Sequence, residues 1–286
     1  MEIEEQGERA TDRELVQVDH WIYGVVPGVG YTTKAFSRGF DAGLYDPYLR
    51  GHYTPIRPAT AQTAEMEVNL HMIHPIVSGQ EILLSRISRG APDEAGRPTF
   101  TNHTVVIPSS VIRSGRLTLT AAFHAVEKFD REAANVRGEM GLLGIPLRAK
   151  DESPLSLGAG IHRHITLPAL ETLATRMMAE PGGRTLLLCR NTTPDARNTT
   201  LHLIVELLGL GCGLPFFPAI SDAPRASALN FFNLVIAPRG VRSDASWVLL
   251  ESALGENVLP RVSGRDDVYQ IISSVYKQAK DARVAR

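Results

Sequence analysis

Residues 183–189, GRTLLLC, make a continuous apolar run bounded by turn residues, the pattern of a strand covered on both faces. Such a strand needs a layer on each side, and its flanks supply helices. Before it, Pro168 can open a helix at its first turn, with Leu170, Leu173, Ala174 and Met177 as the apolar stripe. After it, TTLHLIVELLGLG reads as a second helix with Thr199 or Thr200 as N-cap. LNFFNLVIAP and SWVLLES read as two more strands. Val268, Ile271, Ile272, Val275 and Ala279 then recur at the spacing of a final helix. Asp266 and Asp267 open that helix, and Lys277, Lys280 and Arg283 close it, each favourable against the helix dipole. The order helix, strand, helix, strand, strand, helix predicts layered α/β structure over residues 166–286.

The first half has a different rhythm. HWIYGVV and YTTKAFS flank the turn residues PGVG and predict a hairpin. QEILLSRISRG and PTFTNHTVVIP predict two strands joined by GAPDEAGRP, with Ile82, Leu84, Ile87, Val105 and Ile107 supplying inner faces. Leu119, Ala122, Phe123, Val126 and Phe129 follow a period of 3.6 and predict an amphipathic helix. ATAQTAEMEVNLHMI suits helix or strand equally. Residues 1–18 have few apolar side chains and read as a flexible lead-in to a strand-rich domain over 19–140. Periodicity fails over 141–165, where Gly, Pro and Ser concentrate, so a linker or crossover is expected there. The fold class that results is α+β, a strand-rich N-terminal half followed by a layered α/β C-terminal half.

Thirty Lys and Arg against 31 Asp and Glu leave a formal charge of -1, with no global field for nucleic acid or an anionic membrane. The two cysteines, Cys189 and Cys212, lack disulfide or zinc spacing. The acidic, polar N-terminus is the opposite of a signal peptide, and no apolar run is long enough to span a bilayer. A cytoplasmic protein is the expectation.

The chemistry-bearing stretches each have a plainer reading. YGVVPGVGYTTK, residues 23–34, suggests a phosphate loop, but Lys34 lies four residues beyond Gly30 among β-forming residues, and no third glycine completes a dinucleotide fingerprint. It reads as a turn. Asp93, Glu94, Arg97 and His103 could assemble an acid–base site. Alternatively, Asp93 and Arg97 close a polar turn while His103 sits on a strand. His71 and His74 would share a face on a helix, and His162 and His164 would share one on a strand. Neither pair has an acidic third ligand at a telling spacing, so no metal or other cofactor is expected. Phe216, Phe217, Phe231 and Phe232 fit either core or, with Arg225 and Arg239, a binding face.

Three stretches, residues 23–41, 85–108 and 214–238, together resemble the N-terminal part of bacterial GTPase-associated proteins, which are encoded beside small GTPases and other NTPases. The likeness rests on the Tyr/Gly-rich opening, on Asp93, Gly96, Arg97 and Pro98 leading to Asn102, His103 and Val106, and on a late Phe-rich strand. It implies a non-enzymatic adaptor or regulatory subunit that binds a protein partner, a small GTPase or related NTPase, and carries over no catalytic residues. Tyr45, Tyr48, Arg50 and Tyr53, in the loop GLYDPYLRGHYTP, are the expected contact set, since Tyr and Arg are favoured anchors. The alternatives are a hydrolase or transferase built on Asp93 and His103, and a structural subunit of a homo-oligomer.

Overall fold

The computed structural model describes residues 14–49, 69–75, 80–97, 99–133, 135–148, 160–189, 193–214, 218–221, 232–238, 248–251 and 259–281. Within them the chain begins with strand β1 (Leu15–Val18), inside the stretch expected as a lead-in, and continues through β2 (His20–Val26), β3 (Gly30–Ser37) and helix α1 (Ala42–Leu49). Next come β4 (Asn69–Pro75), β5 (Glu81–Gly90) and β6 (Thr99–Pro108), then α2 (Ser109–Arg113) and α3 (Leu119–Glu132). Two short strands, β7 (Gly138–Met140) and β8 (Leu143–Pro146), precede α4 (Leu167–Ala179), β9 (Thr185–Cys189) and α5 (Pro194–Ile204). The chain then supplies β10 (Ala219–Ser221), β11 (Leu234–Pro238), β12 (Val248–Glu251) and α6 (Asp266–Asp281).

The fold is α+β. Ten strands join in one sheet of order β12-β9-β11-β10-β4-β5-β6-β2-β3-β7, while β1 and β8 form a separate antiparallel ribbon. One wing of the sheet, β12-β9-β11-β10, is parallel. The run β4-β5-β6-β2-β3 is antiparallel, and the antiparallel pair β10–β4 joins the two.

Strand alternation divides the burial. Leu187 and Cys189 of β9 face the main core with α3, α4, α5 and α6, whereas Leu186 packs with Val235 and Phe232 on the other face. The unbroken apolar run therefore does mark a doubly covered strand. Helix α3 buries Leu119, Ala122, Phe123 and Val126, as its period requires, and Leu119, Phe123 and Val126 each contribute about 1.5–3 kcal/mol. On α6 the stripe is shifted. Ile271 is 38% exposed, and Tyr269 is buried instead, its hydroxyl bonded to Thr175 Oγ1 at 2.8 Å.

The N-cap of helix α5 lies before the expected Thr199 or Thr200. Thr193 caps it by accepting from the Ala196 amide at 3.4 Å, with Pro194 in the first turn. Thr199 and Thr200 are internal, their hydroxyls donating to the carbonyls of Asp195 and Ala196 at 2.9 and 2.7 Å. The helix continues as a π-helical stretch, Val205–Gly211. There the buried Glu206 carboxyl oxygen accepts the Leu119 amide at 2.6 Å, satisfying a backbone donor at the N-terminal end of α3.

Candidate functional site

The antiparallel ladder lines up a polar row on the helix-facing side of the sheet. His71 on β4 is in register with Arg86 on β5, and Arg86 with His103 on β6. Ile22 of β2 opposes His103, which brings His20, two residues earlier on the same face, beside it. Helix α3 covers this row. His20 Nδ1 meets His103 Nε2 at 3.0 Å, and His103 Nδ1 donates to Asp130 Oδ1 of α3 at 2.6 Å. Asp130 Oδ2 takes Arg86 at 2.8 Å, and Arg86 Nε donates to Asn69 Oδ1 at 3.0 Å. The far ring closes on backbone, His20 Nε2 donating to the Gly141 carbonyl at 2.8 Å. Burial pushes the His20 imidazole down to about 4, the Gly141 carbonyl opposing and His103 reinforcing the shift.

A second pair lies alongside. His71 Nδ1 meets His202 Nε2 of α5 at 2.9 Å, and His202 Nδ1 meets the Thr120 hydroxyl at 3.0 Å. The Phe123 ring stacks on His71 at 3.9 Å and on His202 at 4.7 Å. Burial pushes His202 down to about 3 and His71 well below its ordinary value.

Beyond Asp130 the cover of α3 ends and a groove of about 1370 Å³ opens. Its walls are the β2–β3 tip from Val26 to Tyr31, the turn from Gly90 to Arg97, and Ala133, Asn135, Val136 and Arg137 after α3. Positive φ angles at Gly28 (74°) and Gly30 (94°) close the β2–β3 tip. The expected turn at residues 23–34 is thus formed, and it walls the groove together with the Asp93 turn.

Lys34 enters the groove through an irregularity in pairing. Ile22 pairs with Ala35 but Tyr23 with Thr33, so Lys34 is the bulged residue. Its side chain is half-buried and crosses Gly24, where a Cβ would lie 3.1 Å from Lys34 Cδ. Burial, then the neighbouring Arg137 charge, lowers the Lys34 pKa, with Asp130 opposing.

Arg97 closes its own turn: Asp93 Oδ1 accepts the Ala95 and Arg97 amides at 3.0 and 2.8 Å, and Oδ2 accepts Arg97 Nε at 2.7 Å. Gly96, at φ 73°, lets that turn close, and the Arg97 amide leads in holding the Asp93 carboxyl below its ordinary range. His103 lies four register positions from Thr99, roughly 13 Å along β6, and is fully buried. The pairing of Asp93 with His103 is not formed, because strand rise carries the two apart.

Tyr45 is only 7% exposed, its ring 5.1 Å from Phe40 in a cluster with Trp21, so it packs inward and is not presented as a contact. Tyr48 falls within α1, and Arg50 and Tyr53 lie outside the described residues. His71 and His74 are on a strand, not a helix, and take opposite faces, His74 meeting Phe232 at 5.3 Å. His162 lies in a 3-10 turn, Ile161–Arg163, and His164 meets Thr200 Oγ1 at 3.1 Å, so the extended spacing that would pair them is absent. Phe232 is core, at 2% exposure, whereas Phe216, Phe217, Phe231, Arg225 and Arg239 lie outside the described residues.

Sequence reasoning passed over His20, Arg86, Asp130, Lys34 and Arg137. No local pattern joins His20 to His103 across 83 positions, and a bulge leaves no mark in residue types. The one available signal was polar alternation on predicted strands, which places Arg86 and His103 inward with Leu84 and Val105.

No protein-family model matches the chain, and no curated protein does so either. Among the described residues, no helix is long and apolar enough to cross a membrane.

Proposed function

We propose that the protein is a non-enzymatic adaptor or regulatory subunit whose groove receives a segment of a protein partner. One observation carries this reading: the groove is wide and walled by two strand connections, while the histidines beside it, under α3, spend both ring nitrogens internally. His103 and His20 each bond at Nδ1 and Nε2, so neither offers a nitrogen to a substrate. A volume of about 1370 Å³ exceeds the ~300–1,000 Å³ of ordinary small-molecule pockets and suits a chain segment. Val29, 72% exposed at the β2–β3 tip, supplies an apolar contact on its rim. The first two stretches that resemble GTPase-associated proteins both wall this groove, which makes a small GTPase or related NTPase the first partner to test.

The experiment is binding of the purified chain to candidate GTPases loaded with GDP or a GTP analogue, with Val29→Asp beside the parent. Val29→Asp is expected to weaken binding at least about tenfold, a loss of about 1.4 kcal/mol, with an unchanged melting temperature. Equal binding by parent and variant would remove the groove from the interaction and overturn the reading.

A further inference from the structure

The inner end of the groove has a composition that a protein segment alone does not explain. Gly138 of β7 pairs in parallel with Ala35, so Arg137 and Lys34 immediately precede a paired position on neighbouring strands, and both line the groove. Two cations brought to one groove repel each other. Among the described residues neither Lys34 nor Arg137 forms an ion pair. The nearby carboxylate, Asp130, already has one oxygen on His103 and the other on Arg86.

The floor beside them is lowered and carries donors. Ser88, Thr101 and Gly24 lie in register across β5, β6 and β2 on the helix-facing side. A Cβ at Gly24 would stand 3.1 Å from Lys34 Cδ and 3.4 Å from Thr101 Oγ1, so the glycine leaves a hollow bordered by the lysine stem and the threonine hydroxyl. The hydroxyls of Ser88 and Thr101 make no hydrogen bond among the described residues.

We propose that this cradle is an oxyanion site for a phosphate group, held between Lys34 and Arg137 with Thr101 and Ser88 donating from the floor. The bulge at Lys34 is the device that builds it. Regular pairing would put that residue in the ladder, whereas the extra position turns its side chain across Gly24. An oxyanion removes the repulsion between the two cations and gives each a charge-assisted hydrogen bond. The inference rests on the groove being the binding site, and it names the chemistry of what enters its inner end. Lowering of the Lys34 pKa by burial and by Arg137 agrees with a cation awaiting a counter-charge.

The test is titration of the full-length protein with inorganic phosphate and, separately, glycerol 3-phosphate, followed by calorimetry and by backbone amide shifts of Lys34, Thr101 and Gly138. Saturable shifts at these three positions are expected, with affinity reduced at least tenfold by Lys34→Gln and by Arg137→Gln. Gly24→Ala is expected to weaken binding severalfold while keeping both charges, because the new methyl displaces the lysine stem. Arg137 is exposed, so its variant reports on binding even where a change at Gly24 disturbs folding. Tighter binding of glycerol 3-phosphate assigns the site to a phosphate monoester, and tighter binding of phosphate assigns it to the free ion. Absence of saturable shifts, or affinity unchanged in both charge variants, overturns the proposal. Phosphate binding by a chain that captures no GTPase would overturn the adaptor reading alone, so the two failures are separable.

Discussion

The antiparallel and parallel wings share one sheet and one helical layer, yet they put opposite chemistry under the helices. Beneath α3 the antiparallel strands present His71, Arg86, His103 and His20, and their far end opens into a groove. Beneath α4, α5 and α6 the parallel strands present Leu187, Leu234, Ile236 and Leu250, all in the main apolar core. A helix covers polar groups as readily as apolar ones, provided each polar atom finds a partner. In the antiparallel wing, ladder register and Asp130 supply those partners. Where the partners run out, the cover stops.

Acidification is the strongest way to break this contrast. Burial lowers His20 to about 4, His74 and His202 to about 3, and His71 well below its ordinary value. Each lies in the antiparallel wing or, for His202, on the helix packed against it. The unfolded chain protonates these residues near pH 6.5, before the folded one does, so their stabilisation is complete above that pH and lost as pH falls toward 4 and then 3. Each adds a slope of about 1.4 kcal/mol per pH unit over its window. Chemical denaturation across pH 4–7 should show stability rising with pH. Hydrogen exchange near pH 5 should loosen β2 and β4 before β9 and β11, and simultaneous loosening would erase the distinction.

Asp130→Ala comes next in size. It leaves Arg86 and His103 without their shared carboxylate and is expected to cost about 3–5 kcal/mol by urea denaturation. Leu187→Ala, its counterpart in the parallel wing, removes a wholly buried side chain and should cost about 2–5 kcal/mol. The two separate by place: amide exchange should loosen first in β6 and α3 for Asp130→Ala, and first in β9 and β11 for Leu187→Ala. The smallest expected effect is Thr193→Ala, about 1 kcal/mol, because one N-cap bond is lost at α5. A similar loss at Thr199 instead would return the helix start to the position its sequence suggests.

Legibility followed the range of the forces. The α3 stripe, the β2–β3 turn, the doubly covered strand at 185–189 and the first turn of α4 depend on neighbours within a few residues, so pattern reveals them. The start of α5 was misplaced because Thr193-Pro194-Asp195 carries no apolar residue to announce a helix, and the turn is held by its cap. The stripe of α6 was misread at Ile271 because Tyr269 satisfies its hydroxyl through Thr175, 94 positions away. Tyr45 looked like a surface anchor for the same reason, since nothing near it in sequence reveals Phe40 and Trp21 as its packing partners in space.

Residue types alone determined that this chain builds an α+β fold, that GRTLLLC is doubly covered, and that YGVVPGVGYTTK turns back on itself. Each of these follows from side-chain period and backbone preference, which act locally. Tertiary structure alone decided that the same turn walls a groove with the Asp93 turn, that Lys34 is bulged beside Arg137, and that His20 meets His103. Those juxtapositions depend on strand register, and register is a property of paired strands, set by long-range burial that no single segment contains.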